Sequence, residues 1–301
     1  MTSSHKCIIF FILSIIFLSS CTTIPPIQIP DKEPVSQRLK HLHPNVVLVL
    51  GSGSARGFAH AGVLKVLEEN HIPIDLIVGT SAGAIVGSLY ADHPSADWLI
   101  RLLLTTHRNE VIEYSLLNIR QGIISGTKVQ SFLINHMRAK TFDELPIPFV
   151  AVATNLLTGR IHVFGSGPIA PVVNASSAIP PFFSPVKLYG NNYIDGGIVD
   201  PVAVDVAKRF HPKIIIAVSL DFPLSRDIPT NSLSVFLKGV NMMLLRLNDY
   251  SAEGAQVIIT PQIGETGMFD GDKRLNTIHA GEVAARKALP TIKKLLLRDR
   301  L

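Results

Sequence analysis

The sequence predicts an α/β fold in which a mostly parallel sheet is covered by helices on both faces. Three observations predict it. Short apolar, β-branched runs alternate with segments of helical period from residue 45 onward. The runs are apolar without a break, as in strands buried on both sides. Glycine-rich turns follow the first two runs, where the ligand sites of such sheets gather.

The elements follow in order. "NVVLVL" (45–50) reads as a buried strand and runs into "GSGSARG" (51–57). "FAHAGVLKVLEENH" (58–71) carries Phe58, Val63, Val66 and Leu67 at helical spacing. "IDLIVG" (74–79) is a second strand, and "SAGAIVGSLYADH" a second helix. Pro94 and Ser95 restart a helix at "ADWLIRLLLTTH", and "TKVQSFLINHMRAK" is helical. "IPFVAVATN" and "GRIHVFGSG" are strands, "NYIDGG" a strand end with a turn, and "PVAVDVAKRF" a helix. "KIIIAVSL" is a buried strand. "LSVFLKGVNMMLLRLNDYSAEGA" is a long helix whose apolar residues around Met242–Leu247 face either the core or a membrane, with the core as the default expectation at that spacing. "QVIITP" is a last strand, and "HAGEVAARKALPTIKKLLL" a closing helix broken near Pro290. The chain shows no internal repeat.

With 301 residues, of which 47% are hydrophobic and 17% charged, the chain can bury a sizeable core, which excludes general disorder. The net charge of +5 is scattered. It forms no basic run with interleaved aromatics, so the chain carries no nucleic-acid footprint; the excess favours anionic surfaces, lipid included. Both cysteines, Cys7 and Cys21, lie at the extreme N-terminus, which excludes a structural disulfide and a Cys/His metal cluster.

The N-terminus reads as a processing signal. Lys6 precedes an apolar run from Cys7 to Leu18, too short for a comfortable membrane span of about 20 residues. "LSSC" (18–21) resembles the lipobox of bacterial lipoproteins, in which the cysteine is lipid-modified and the preceding peptide removed. That divides the chain into a signal peptide (1–20), a lipidated N-terminus with a proline-rich tether (21–44) and a folded body (45–301). The alternative is an ordinary signal peptide or a short anchor with a chance cysteine. Thr22, being other than Asp, favours the outer membrane by resemblance to lipoprotein sorting in Gram-negative bacteria.

Three motifs fall at strand ends. Gly79-Thr80-Ser81-Ala82-Gly83 matches G-x-S-x-G between a strand and a helix, as in a nucleophile elbow. The competing reading makes Ser81 a helix N-cap. Gly51-Ser52-Gly53-Ser54-Ala55-Arg56-Gly57 exposes successive backbone N–H groups that suit an anion. Its glycine spacing is one residue too long for a dinucleotide fingerprint, and it lacks the Gly-Lys-Ser/Thr of a P-loop. An oxyanion hole for the downstream serine fits better, with Arg56 steadying the loop or meeting a phosphate. Asp195-Gly196-Gly197 is either a hairpin turn or the carboxylate base that a serine nucleophile needs. A Ser-His-Asp arrangement would use His211 or His279, which lie in the right order; His60 and His162 precede the acid.

Several linked segments together resemble the patatin-like phospholipase family, closest to its bacterial members and to the catalytic domain of neuropathy target esterase. They are "LVLGSGSARGFAHAGVLKVLEE", "IDLIVGTSAGAIVGSLYAD", "AVATNLLTGR", "NASSAIPPFFSPV" and "YIDGGIVDPVAVDVAK", spanning about residues 46 to 220. The resemblance implies a three-layer α/β/α sandwich and a Ser81-Asp195 dyad without histidine. Ser81 would attack an ester carbonyl, Asp195 would act as base, and amides of the 52–54 stretch would hold the oxyanion. It implies no metal and no cofactor, and a phospholipid or other fatty-acyl ester as substrate. Ser52 and Ser54 interrupt a loop that relatives often fill with glycine, Asp200 stands where they often carry Asn, and Asn155 where they often carry Asp. Two functions follow from different classes: a lipid-anchored serine acyl hydrolase, or a catalytically quiet lipid- or protein-binding lipoprotein on the same fold. The sequence is silent on oligomeric state.

Overall fold

The computed structural model describes residues 29–112, 124–220, 228–264 and 273–298. The signal peptide, Cys7, Cys21 and Thr22 lie outside them. Among the described residues the strands are β1 (Val46–Leu50), β2 (Leu76–Thr80), β3 (Phe149–Asn155), β4 (Ile161–Phe164), β5 (Val186–Leu188), β6 (Asn191–Asp195), β7 (Ile214–Val218) and β8 (Val257–Ile259). They form one sheet in the order β5-β6-β3-β2-β1-β7-β8, with β4 also paired to β3. The pairs β1/β2, β1/β7, β2/β3 and β7/β8 are parallel, while β3/β4, β3/β6 and β5/β6 are antiparallel. The parallel block is as expected, and the antiparallel strands are confined to one end.

The helices are α1 (Gln37–Lys40), α2 (Phe58–Glu69), α3 (Ala82–Asp92), α4 (Ala96–Thr105), α5 (Arg108–Val111), α6 (Thr127–His136), α7 (Ile169–Ser176), α8 (Val204–Lys208), α9 (Ser232–Ser251) and α10 (Arg274–Arg298). Strand periodicity sorts the core into two faces. Val46, Leu48 and Leu50 of β1 face a large cluster shared with α2, α3, α4, α6 and α7. Val47 and Val49 face a smaller one, completed by Val204 and Val206 of α8 and Ala252 just beyond α9. The sandwich therefore has a thick and a thin helical layer.

Three expectations change. The run 21–44 is not a free tether throughout. Glu33 bonds His162 at 2.7 Å, the Ser36 hydroxyl donates to Asp143 at 2.7 Å, and Leu39 and Leu42 pack on the smaller core. The folded body thus begins by Glu33, not at 45. Helix α9 turns much of its apolar surface outward: Phe236 is 64% and Met243 72% exposed, so its apolar residues do not all face the core. Helix α10 runs through Pro290 unbroken and starts at Arg274, since losing one i→i−4 bond does not end a helix whose flanks are packed. Helix α7 and strand β5 carried no periodic signal. Pro171 sits in the first turn of α7, where its missing N–H costs nothing.

Removing residues 1–44 is expected to destabilise the protein by about 2–4 kcal/mol relative to removing 1–28, a Tm drop of about 5–10 °C by calorimetry. Equal Tm values would show that residues 29–44 add nothing to the fold.

Candidate active site

Strand register brings two distant residues together. Residues 151–154 of β3 pair with β4, while residues 149–152 pair with β2 and 153–155 with β6. Because β4 occupies one edge, β2 and β6 must share the other. Strand β2 climbs it and stops at Thr80, opposite Val152; β6 descends it and stops at Asp195, opposite Ala153. The two strand ends meet head to head. The Ser81 hydroxyl, one residue past Thr80, donates to Asp195 Oδ2 at 2.5 Å.

The turn after β2 is tight. Ser81 sits at φ 56°, ψ −119°, a region that costs a residue with a Cβ about 1–3 kcal/mol. Ser81 occupies the N-cap position of α3, but its side chain makes no capping bond there and turns to Asp195 instead. Its carbonyl accepts from Ala84 and Ile85, and its own N–H donates to the Ser176 hydroxyl at 3.0 Å. Ser176 in turn donates to the Val152 carbonyl at 2.6 Å. A buried hydroxyl thus splices the elbow to β3 where the ladder has run out. Gly83 is required by close approach, since a Cβ there would lie 1.9 Å from the Leu50 carbonyl oxygen. A Cβ on Gly79 would meet the Ala84 Cα at 2.7 Å.

The loop after β1 lies beside this elbow. A Cβ on Gly57 would stand 2.6 Å from the Ala82 Cβ, so the loop rests directly on the start of α3. Gly51 donates to Val218 O and Ser52 to Pro201 O, so the Ser52 amide is taken. The amides of Gly53 and Ser54 make no hydrogen bond to a described residue. Arg56 is buried and lines neither cavity described below, which fits steadying the loop and not meeting a phosphate.

The Asp195 carboxylate accepts from the Gly197 N–H at 2.7 Å as well as from Ser81. Its backbone is fixed too: the N–H donates to Ala178 O at 3.0 Å, and the Thr154 hydroxyl donates to its carbonyl at 2.9 Å. Burial pushes its carboxyl up to about 7, against the pull of the Ser81 and Gly197 hydrogen bonds. Gly196 has no room for a Cβ, which would fall 2.2 Å from the Val152 carbonyl oxygen. Asp200 lies a turn away, its N–H bonded to Gly196 O.

Two cavities open at Ser81. The larger, about 300 Å³, is walled mainly by Ile85, Val86, Leu103, Val129, Phe132 and Phe183. The smaller, about 50 Å³, is bounded by Asp195, Gly197, Ile198, Pro201 and Leu244. No histidine lines either cavity among the described residues. His211 and His279 are exposed, and His162 is engaged with Glu33. Neither sequence-order candidate stands between the serine and the acid, whose oxygens touch directly.

Two supporting residues escaped the sequence reading. Ser176 was visible only as part of "NASSAIPP". His60 is fully buried, and burial lowers its imidazole to about 4, which keeps the ring neutral. Its Nε2 lies 2.8 Å from the Gly51 carbonyl, so that nitrogen carries the proton and pins the loop's first peptide. Nothing in the spacing of His60 distinguished it from a core histidine. No described group of His, Cys, Asp and Glu could hold a metal.

Because Ser81→Gly removes the strained Cβ, it is expected to unfold at higher urea than Ser81→Ala, by about 1–2 kcal/mol. The reverse order would show that the elbow carries no strain.

Comparison with known proteins places the chain. A protein-family model described as patatin-like phospholipase matches residues 48–208. An uncharacterized NTE family protein of Mycobacterium tuberculosis, Rv1063c, is 36% identical over 181 residues, covering 59% of this chain and 49% of that protein. Patatin-like phospholipase domain-containing protein 7 of Rattus norvegicus is 31% identical over 208 residues, 66% of this chain and 15% of that one. The chain thus spans half or less of the length of these relatives. The solved structure of VipD from Legionella pneumophila aligns at a TM-score of 0.46 and 13% identity, covering 91% of this chain and 72% of that chain. By the family model and the sequence relatives, this chain belongs to the patatin-like phospholipase family.

Proposed function

We propose that the protein is a serine acyl hydrolase that cleaves fatty-acyl esters of lipids. One observation carries the reading: a serine hydroxyl 2.5 Å from a buried carboxylate, on a strained elbow, at the mouth of an apolar cavity. Asp195 takes the Ser81 proton as the serine oxygen attacks the ester carbonyl. The free amides of Gly53 and Ser54 receive the oxyanion, and the start of α3 adds partial positive charge behind Ser81. The proton passes from Asp195 to the leaving alcohol, and water then releases the acyl group by the same steps in reverse. A base whose carboxyl titrates at about 7 is matched to neutral conditions. The acyl chain belongs in the larger cavity, and the alcohol leaves past the smaller one.

We also infer a lipid surface as the setting. An acylated Cys21 would bind a membrane at about 0.8 kcal/mol per buried methylene. The outward Phe236 and Met243 of α9 favour the same surface, because Leu244 of that helix borders the smaller cavity. The outer membrane fits Thr22. Mass spectrometry of protein made in a Gram-negative host is expected to find acyl groups on Cys21. An unmodified Cys21 in a processed chain would refute the anchor.

On a short-chain p-nitrophenyl ester, Ser81→Ala is expected to lose turnover about ten-thousandfold, and Asp195→Asn about 10²–10⁴-fold. Asp200→Asn should keep it. Turnover surviving in Ser81→Ala would sink the dyad. A fluorophosphonate probe that fails to label folded wild-type protein would favour the quiet binding lipoprotein.

The carboxylate form of Asp195 is the working one, so kcat/KM and the rate of fluorophosphonate labelling should both rise with pH through about 7. Profiles flat between pH 5 and 8 would remove Asp195 as the base.

A further inference from the structure

Three residues line both cavities: Ser81, Ile179 and Ser54. An ester with its acyl chain in the larger cavity and its alcohol toward the smaller one must place its carbonyl against these three. Ile179 offers it only hydrocarbon, whereas Ser54 offers a hydroxyl.

Ser54 is an unusual occupant of its position. Its φ is 51°, in the left-handed region that favours glycine, and a serine there bears strain that glycine would not. Of the other hydroxyls at the elbow, that of Ser81 is committed to Asp195 and that of Ser176 to Val152, while that of Thr80 is buried without a partner among the described residues and lines neither cavity. That of Ser54 bonds no described residue. A strained serine with an uncommitted hydroxyl, at the junction where the carbonyl must lie, is placed to meet the charge that develops there.

We propose that the Ser54 hydroxyl is a third oxyanion donor, beside the amides of Gly53 and Ser54; this rests on the Ser81-Asp195 reading. In the step concerned, the Ser81 oxygen bonds the carbonyl carbon and its proton moves to Asp195 Oδ2. The carbonyl π pair moves onto oxygen, and Ser54 donates a hydrogen bond to that oxygen while keeping its proton. The side chain gives the loop a donor that the backbone alone does not supply.

The test measures kcat and KM of the full chain in detergent on a p-nitrophenyl ester, for Ser54→Ala and Ser54→Gly beside Ser81→Ala. It adds inhibition by an alkyl trifluoromethyl ketone, which forms a tetrahedral adduct with the serine, and by the matching methyl ketone. Ser54→Ala is expected to lower kcat on the order of tenfold to a hundredfold with KM little changed. It should weaken the trifluoromethyl ketone by a similar factor and leave the methyl ketone unaffected. Ser54→Gly, whose backbone suits the left-handed turn, should show the same loss and carries the test if the alanine variant folds poorly. Wild-type kcat in Ser54→Gly, or a rise confined to KM in Ser54→Ala, overturns the proposal. If Ser81→Ala is silent while both Ser54 variants match wild type, only this proposal fails. If Ser81→Ala turns over, the dyad fails and this proposal with it.

Discussion

The contact between the Ser81 hydroxyl and the buried Asp195 carboxylate is the constraint around which the rest is arranged. The two residues are 114 apart in the chain and must meet within hydrogen-bond distance. The carboxylate is also dry, and desolvation raises its affinity for a proton, as the proposed role of base requires. The same shift acts on stability with a definite sign. The folded value lies above the unfolded one, so the contribution to folding is complete below the usual carboxylate value. It is lost as pH rises through about 7. The group is therefore least favourable to the fold in the form that can act as a base. The protein offsets this with the Gly197 amide on Oδ1 and two backbone hydrogen bonds that hold Asp195 in place.

What makes the meeting possible is the change of direction at one end of the sheet. A wholly parallel sheet would send every strand's carboxyl end the same way but would not bring a second strand end down onto the first. Strand β6, antiparallel to β3 on the edge that β2 vacates, does so. The two ladders abut there, Thr80 lying opposite Val152 and Asp195 opposite Ala153, and the junction between them needs a bridge. Ser176 provides it, taking the Ser81 N–H and giving its own proton to Val152 O. Its hydroxyl serves as donor and acceptor at once, which alanine or valine of similar bulk would not.

Much of this was legible in the sequence, and the limits have physical causes. Strands buried on both faces announce themselves as unbroken apolar runs, so β1, β2, β3 and β7 were placed to within two residues of their observed ends. The elbow, the glycine loop and the Asp-Gly-Gly turn were visible because close approach admits only small residues, as the 1.9 Å clash at Gly83 shows. The facing of helix α9 stayed open between core and membrane because periodicity shows that a helix has an apolar face and not what lies against it. Residues 33–44 were misjudged because prolines and polar residues look alike in a linker and in a strap held by hydrogen bonds to Asp143 and His162. Ser176 and the cavity walls depend on tertiary placement and leave no local mark.

The cavity also explains why the helical layers differ in thickness. Its walls, Val86, Leu103, Val129, Phe132 and Phe183, are members of the larger core cluster, contributed by α3, α4, α6 and the segment after α7. Only a layer several helices wide can leave a void of about 300 Å³ and still close around it. The thin layer, built on the short α8 and the end of α9, has no such depth. An unfilled apolar void forfeits dispersion contacts along its whole lining. An acyl chain seated there would restore them and remove apolar surface of its own from water at about 25 cal/mol per Å². On the proposed function a substrate's tail would complete the protein's core, and its ester bond would be held where the core meets Ser81.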